Sequence, residues 1–144
     1  MKRLFPLAGL LRLRHLQQDQ ASVELAAANS TLRSHEERHL HARGALSGLD
    51  LTPTTLAALH AMAAGRASSR SMLSDLDALG RSHQSAVDAA QVVFDVARAD
   101  SVRLEKLEAR HADAVVAEDL HAEQTVLDEI ASTRWHRGQG GEPK

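Results

Sequence analysis

An apolar stripe that steps by three and four residues in alternation runs through the first fifty positions of this chain. It passes through Leu4, Leu7, Leu11, Arg14, Gln18, Ala21, Leu25, Ala28, Leu32, His35, His39, Ala42 and Leu46. Nine of these thirteen positions are apolar, and no proline interrupts the helical part of the run. Steps that average about 3.5 residues hold one line of a helix against a neighbouring helix, which is the pattern of a coiled coil. A helix committed to such a seam encloses no pocket. It acts through its length, its outer surface and its ends.

A second stripe follows a short break. Gly44 to Asp50 contains two glycines and suits a helix stop and a turn, and Thr52-Pro53 reads as an N-cap followed by proline in the first turn. Pro6, near the start of the first helix, is tolerated for the same reason. Leu56, Leu59 and Met62 open the second helix. Residues 63–71 hold Gly65 and three serines, so a kink or short break is expected there. Met72, Leu73, Leu76 and Leu79 restart the stripe, which continues through Ala86, Ala90, Val93, Ala97, Leu104 and Leu107. Beyond His111 the phase slips, and Val116, Leu120, Leu127 and Ile130 continue it in a shifted register. The expected architecture is all-α: a long antiparallel two-helix coiled-coil hairpin, with a kink or short helix after the turn. Leu25, Leu32, Leu46, Val93, Leu104 and Leu107 are its expected seam. One domain spans residues 1–137, and residues 138–144, Gly-Gln-Gly-Gly-Glu-Pro-Lys, form a disordered tail. The first helix would be about 65 Å long. The segment after the turn is longer, so part of it overhangs or folds back.

Composition supports this reading. Aromatic residues make up 2% of the chain, too few to fill the thick core of a globular domain. No stretch alternates apolar and polar residues between turn signals, so strands are not expected. The absence of Cys excludes disulfides, thiolate metal sites and cysteine nucleophiles, and fits the cytoplasm. Met1-Lys2-Arg3 and the following leucines fail as a secretion signal, because Arg12 and Arg14 end the apolar run and no small-residue cleavage site follows. No apolar run approaches the ~20 residues that span a bilayer. Much of the seam is alanine, which buries little area, so each layer gains less than a leucine pair would. A binding partner is therefore expected to stabilise the native state.

Charge is unevenly spread. Residues 1–47 carry seven Lys/Arg and four Asp/Glu, a net of +3, whereas residues 82–137 carry six and eleven, a net of −5. Opposite signs favour the two stretches lying side by side, although exposed ion pairs contribute only about 0–1 kcal/mol each.

One motif suggests chemistry. His35-Glu36-Glu37-Arg38-His39 matches H-E-x-x-H, in which two histidines one helical turn apart bind zinc and the glutamate acts as base. The extended form of that signature is absent, with Ala42 where glycine would stand. Nine histidines in a short helical chain make a chance match easy. Both histidines also fall on the seam, where polar residues set register. That role is the better reading, and the zinc peptidase is a remote alternative. There is no Gly-rich phosphate loop for nucleotide, and the aromatic platforms of single-strand nucleic-acid binders are missing. No cofactor, small-molecule substrate or nucleic acid is expected, and the chain is not expected to be an enzyme. Lys2, Arg3, Arg12 and Arg14 flank leucines and suit either a protein surface or a membrane surface.

The two ends carry a resemblance. Phe5-Pro6-Leu7 through Leu10-Leu11-Arg12-Leu13-Arg14 resembles the opening of the FliJ family of flagellar type III export proteins. Leu104-Glu105-Lys106-Leu107 resembles a recurring block in that family's long C-terminal helix. The closing block, Glu123-Gln124-Thr125-Val126-Leu127-Asp128-Glu129-Ile130-Ala131 followed by Arg134, is the most specific piece. The resemblance implies a two-helix coiled coil similar to the central stalk of rotary ATPases, seated in the hole of a hexameric flagellar export ATPase. It implies contacts with the export gate membrane protein and with flagellar export chaperones, and a place in the cytoplasm, peripheral at the cytoplasmic face of the inner membrane. By that likeness the paired chain ends enter the ATPase, through Leu4, Leu7, Leu11, Arg12 and Arg14 on one side and Glu123, Leu127, Asp128, Ile130 and Arg134 on the other. A generic coiled-coil scaffold and an injectisome-type stalk share the architecture and stand as alternatives.

Overall fold

The computed structural model describes residues 4–48 and 52–139, and these form two helices in an antiparallel coiled-coil hairpin. Helix α1 spans Ala8–Ser47 and helix α2 spans Leu56–Gln139, the latter an unbroken helix of 84 residues. No strand occurs among the described residues.

The caps explain where each helix begins. Pro6 and Leu7 form a turn in which the Ala8 N–H donates to the Phe5 carbonyl at 3.2 Å, and the first α-helical bond follows from Leu11 N–H to Leu7 O at 2.9 Å. The helix thus starts at Ala8, after the proline. At the far end Gly48 N–H bonds to Gly44 O at 3.0 Å and the Ser47 hydroxyl donates to the same carbonyl at 2.9 Å. No described glycine has a positive φ, so the helix does not end in a left-handed glycine cap. Helix α2 is capped by Thr55, whose Oγ1 accepts from the Ala58 N–H at 3.1 Å, the usual N-cap to N3 bond. The expected cap at Thr52-Pro53 lies three residues upstream of the real one.

The chain divides into two compact units, Met1–Arg14 with Asp100–Lys144, and His15–Ala99. In the second unit, Gln18, Ala21, Leu25, Ala28, Leu32, His35, His39, Ala42 and Leu46 of α1 are buried or half-buried, as their spacing predicts. On α2 the covered positions are Ala58, Met62, Ser69, Leu73, Leu76, Gly80, His83, Val87, Ala90, Phe94 and Ala97. His35 lies against Leu76, Gly80 and His83, while His39 lies against Asp77. Numbers rise on one helix as they fall on the other, which is antiparallel pairing. In the first unit Leu11, Ser101 and Leu104 are buried, and Phe5 reaches His111.

Three expectations differ from this arrangement. The helix runs straight through residues 63–71, because the covered positions Met62, Ser69 and Leu73 keep the heptad phase and no proline intervenes. Leu4 and Leu7 leave the seam to Phe5 and Ala8, because residues 4–7 are not yet helical and a helical phase cannot be extended through them. Val93 and Leu107 lie on exposed flanks, whereas Phe94 and Ser101 occupy the covered line, and Leu79 and Ala86 likewise stand beside Gly80 and Val87. At the C-terminal end α2 includes Gly138 and closes at Gln139; residues 140–144 of the expected tail lie outside the described residues.

Candidate docking surfaces

The first unit presents the residues expected to meet a partner, in two separate groups. Leu4 is 86% exposed, and Leu7 and Arg12 are also on the surface. Leu11 is buried on the seam and therefore contributes packing rather than a free contact. Arg14 is half-buried, with a guanidinium nitrogen 3.4 Å from Asp100 Oδ2, and Asp100 also receives Arg103 at 3.2 Å. The Phe5 ring stands 5.6 Å from that of His111, centroid to centroid.

Residues 116–138 continue α2 as bare helix, with every residue exposed. Val116, Leu120, Leu127 and Ile130 recur along one stripe, with Leu127 64% exposed, and Val126 and Trp135 are exposed beside it. Glu123, Asp128 and Arg134 lie on the same bare stretch. The two candidate groups are not brought together. Phe5 meets α2 at His111, and Glu123 is twelve residues further along, about 18 Å of helix. The segment after the turn therefore overhangs as continuous helix and does not fold back.

The second unit contains a polar notch in the seam. His35 is 3% exposed, and its Nε2 lies 2.8 Å from the Leu76 carbonyl. A carbonyl only accepts, so Nε2 carries the proton. Nδ1 is buried with no partner among the described residues. Gly80 makes this seat available: a Cβ there would come within 3.1 Å of His35 Nε2. His83 tilts over the ring at 5.2 Å, and His39 donates from Nε2 to Asp77 Oδ1 at 2.8 Å. A groove of about 570 Å³ opens beside them, lined in part by Leu32, Glu36, Leu40 and Arg81.

The two histidines of the H-E-x-x-H segment thus pack in the seam. One nitrogen of each histidine is engaged by α2, and no group of three or more His, Cys, Asp or Glu suited to a metal ion occurs among the described residues. The partners Asp77, Gly80 and His83 were not singled out from sequence. The signal that could have found them is a glycine on the heptad phase of α2, at a place where a seam of small residues faces an imidazole.

The model of the family described as "Flagellar FliJ protein" matches residues 1–140, nearly the whole chain. The chain belongs to the flagellar FliJ family. It is therefore a component of the flagellar export apparatus, in a family of structural and escort proteins rather than enzymes. No curated protein and no solved structure matches it. As a FliJ-family chain it contains no described helix long and apolar enough to cross a membrane. The opening and closing blocks that carried the resemblance fall within the matched residues. In the structure they occupy the N-terminal arm of the seam and the bare part of α2.

Proposed function

We propose that this chain is a non-enzymatic stalk and escort of flagellar protein export. It binds the hexameric export ATPase through its first unit and stimulates it, and it links that ATPase to the export gate membrane protein and to export chaperones. The observation that carries this reading is the uncovered stripe of Val116, Leu120, Leu127 and Ile130 within a family match that extends past it. An amphipathic helix with its apolar face in water gains most by inserting into a groove or channel of a partner. Leu4, Leu7 and Arg12, together with Glu123, Leu127, Asp128, Ile130 and Arg134, are the residues assigned to that contact. Leu11 supports it from within the seam, and Arg14 supports it through Asp100. The chain works in the cytoplasm, peripheral to the inner membrane. Any energy comes from the ATPase, because a helical pair without a reactive cleft has none to offer.

The test mixes the cognate export ATPase with the full chain and measures hydrolysis and hexamer formation. The full chain is expected to raise both. The variant Leu127→Asp/Ile130→Asp, at two exposed positions, should lose the effect while keeping its helix content by circular dichroism. An ATPase indifferent to the full chain would sink the reading.

A further inference from the structure

The end of the hairpin near the turn has a chemical character opposite to that of the bare helix. From Arg38 to Ser74 the chain carries four arginines, Arg38, Arg43, Arg66 and Arg70, against one carboxylate, Asp50, a net of +3. Arg66 and Arg70 are one helical turn apart and exposed. Neither they nor Arg43 makes an ion pair among the described residues. Arg66 and Arg70 border a groove of about 390 Å³ whose apolar lining comes from Pro53, Leu59, Met62 and Ala63. Leu59, within that lining, is 48% exposed. The groove is thus an apolar trough with a cationic rim.

The bare stretch of α2 is the converse. Residues 116–131 hold five carboxylates, Glu118, Asp119, Glu123, Asp128 and Glu129, and no Lys or Arg; Arg134 and Arg137 come after them. Its apolar stripe of Val116, Leu120, Leu127 and Ile130 contains Glu123 and is edged by Asp119, whereas Asp128 and Glu129 stand more than about 100° round the helix. Two such stretches laid against each other would bring like charges together, which is unfavourable along a helix pair. Laid into the trough, the same stretch buries its leucines against Leu59 and Met62 and sets Asp119 and Glu123 against Arg66 and Arg70.

We propose that the trough lined by Leu59, Met62, Arg66 and Arg70 receives the acidic, apolar helix 116–131 of a second copy of this chain, in a head-to-tail contact. The contact is heterologous, since the two surfaces differ, so it leaves one free surface of each kind at the ends of any open assembly. It covers the stripe of residues 116–131 when no other partner does. The proposal is independent of the ATPase reading, because its test contains this chain alone.

Sedimentation equilibrium of the full chain at about 20 mM and about 500 mM salt reads the contact directly. Association at about 100 μM protein in low salt, weakened at least tenfold in high salt, is expected. Arg66→Glu/Arg70→Glu alone and Asp119→Arg/Glu123→Arg alone should each remain monomeric. Their equimolar mixture should associate, because each supplies the charge that the other needs. Circular dichroism confirms that both variants keep their helices, and Arg66→Gln/Arg70→Gln with Asp119→Asn/Glu123→Gln replaces any that do not; these neutral pairs should each weaken association. A wild-type chain monomeric at that concentration in low salt overturns the proposal. So does association that the charge changes leave intact, or a mixture that fails to recover it.

Discussion

At the scale of single residues, Gly80 and His35 carry the most specific information in the seam. Glycine in a helix interior normally costs about 1 kcal/mol relative to alanine. Gly65 shows that ordinary case, with nothing within 4 Å of where a Cβ would stand. Gly65→Ala should therefore stabilise the chain by about 0.5–1 kcal/mol. At Gly80 the same change meets the His35 ring at 3.1 Å, and His35 is too buried to swing aside. Displacing it weakens the bond to Leu76 O, which contributes about 1 kcal/mol. The propensity gain is offset, so Gly80→Ala should leave stability unchanged or lower it. Chemical denaturation of the two variants side by side checks this; an equal gain at both positions would show that the notch is loose. His35 was legible in the sequence as a seam residue, but its partners were not, because Gly80 has no side chain to register on a hydrophobic scale.

At the scale of the helices, the α1 seam was legible almost residue by residue from Leu11 to Leu46, because its steps of three and four run on unbroken, whereas the exposed Leu13, Leu16, Val23 and Leu40 form no continuous run. On α2 the positions shared by both readings, such as Leu76, Ala90, Ala97 and Leu104, lie at multiples of seven residues from one another. The choice between them was ambiguous. Leu79 competes with Gly80, Ala86 with Val87, and Val93 with Phe94, so the apolar band is wider than the contact. Packing against α1 selects one edge of that band, and no local propensity encodes the choice. The expected break at residues 63–71 failed for a related reason: serine and glycine weaken a helix by tenths to about 1 kcal/mol each, which tertiary packing readily overrides. The bare stretch of α2 has no such packing. Its backbone bonds rest on helix propensity, and the Thr125 and Thr133 hydroxyls share the His121 and Glu129 carbonyls with them. Amides in residues 116–138 should exchange with solvent at least about a hundredfold faster than those of residues 73–97. Mass-spectrometric hydrogen exchange reads this directly, and equal protection in the isolated monomer would mean that the stretch is already covered.

At the scale of the whole molecule, the apolar side chains buried among the described residues are few: Leu11, Ala21 and Leu104. Burial at roughly 25 cal/mol per Å² therefore adds little, and much of the leucine and valine surface stays in water. The isolated chain should unfold over a broad range below about 60 °C, and a bound partner should sharpen and raise the transition. Calorimetry with and without the export ATPase tests both halves; a sharp transition well above that temperature for the chain alone would show stabilisation of another origin. The family was readable from the end blocks, whereas which residues dock was not, since a docking surface is defined by what covers it. The histidine notch also has a consequence for alignment. Sliding one helix by a heptad would bring Leu73 or Val87 opposite His35 in place of Gly80, and neither leaves a vacancy for an imidazole. A stripe of nearly interchangeable alanines tolerates many settings, so one missing side chain acts as the keyhole that admits a single one.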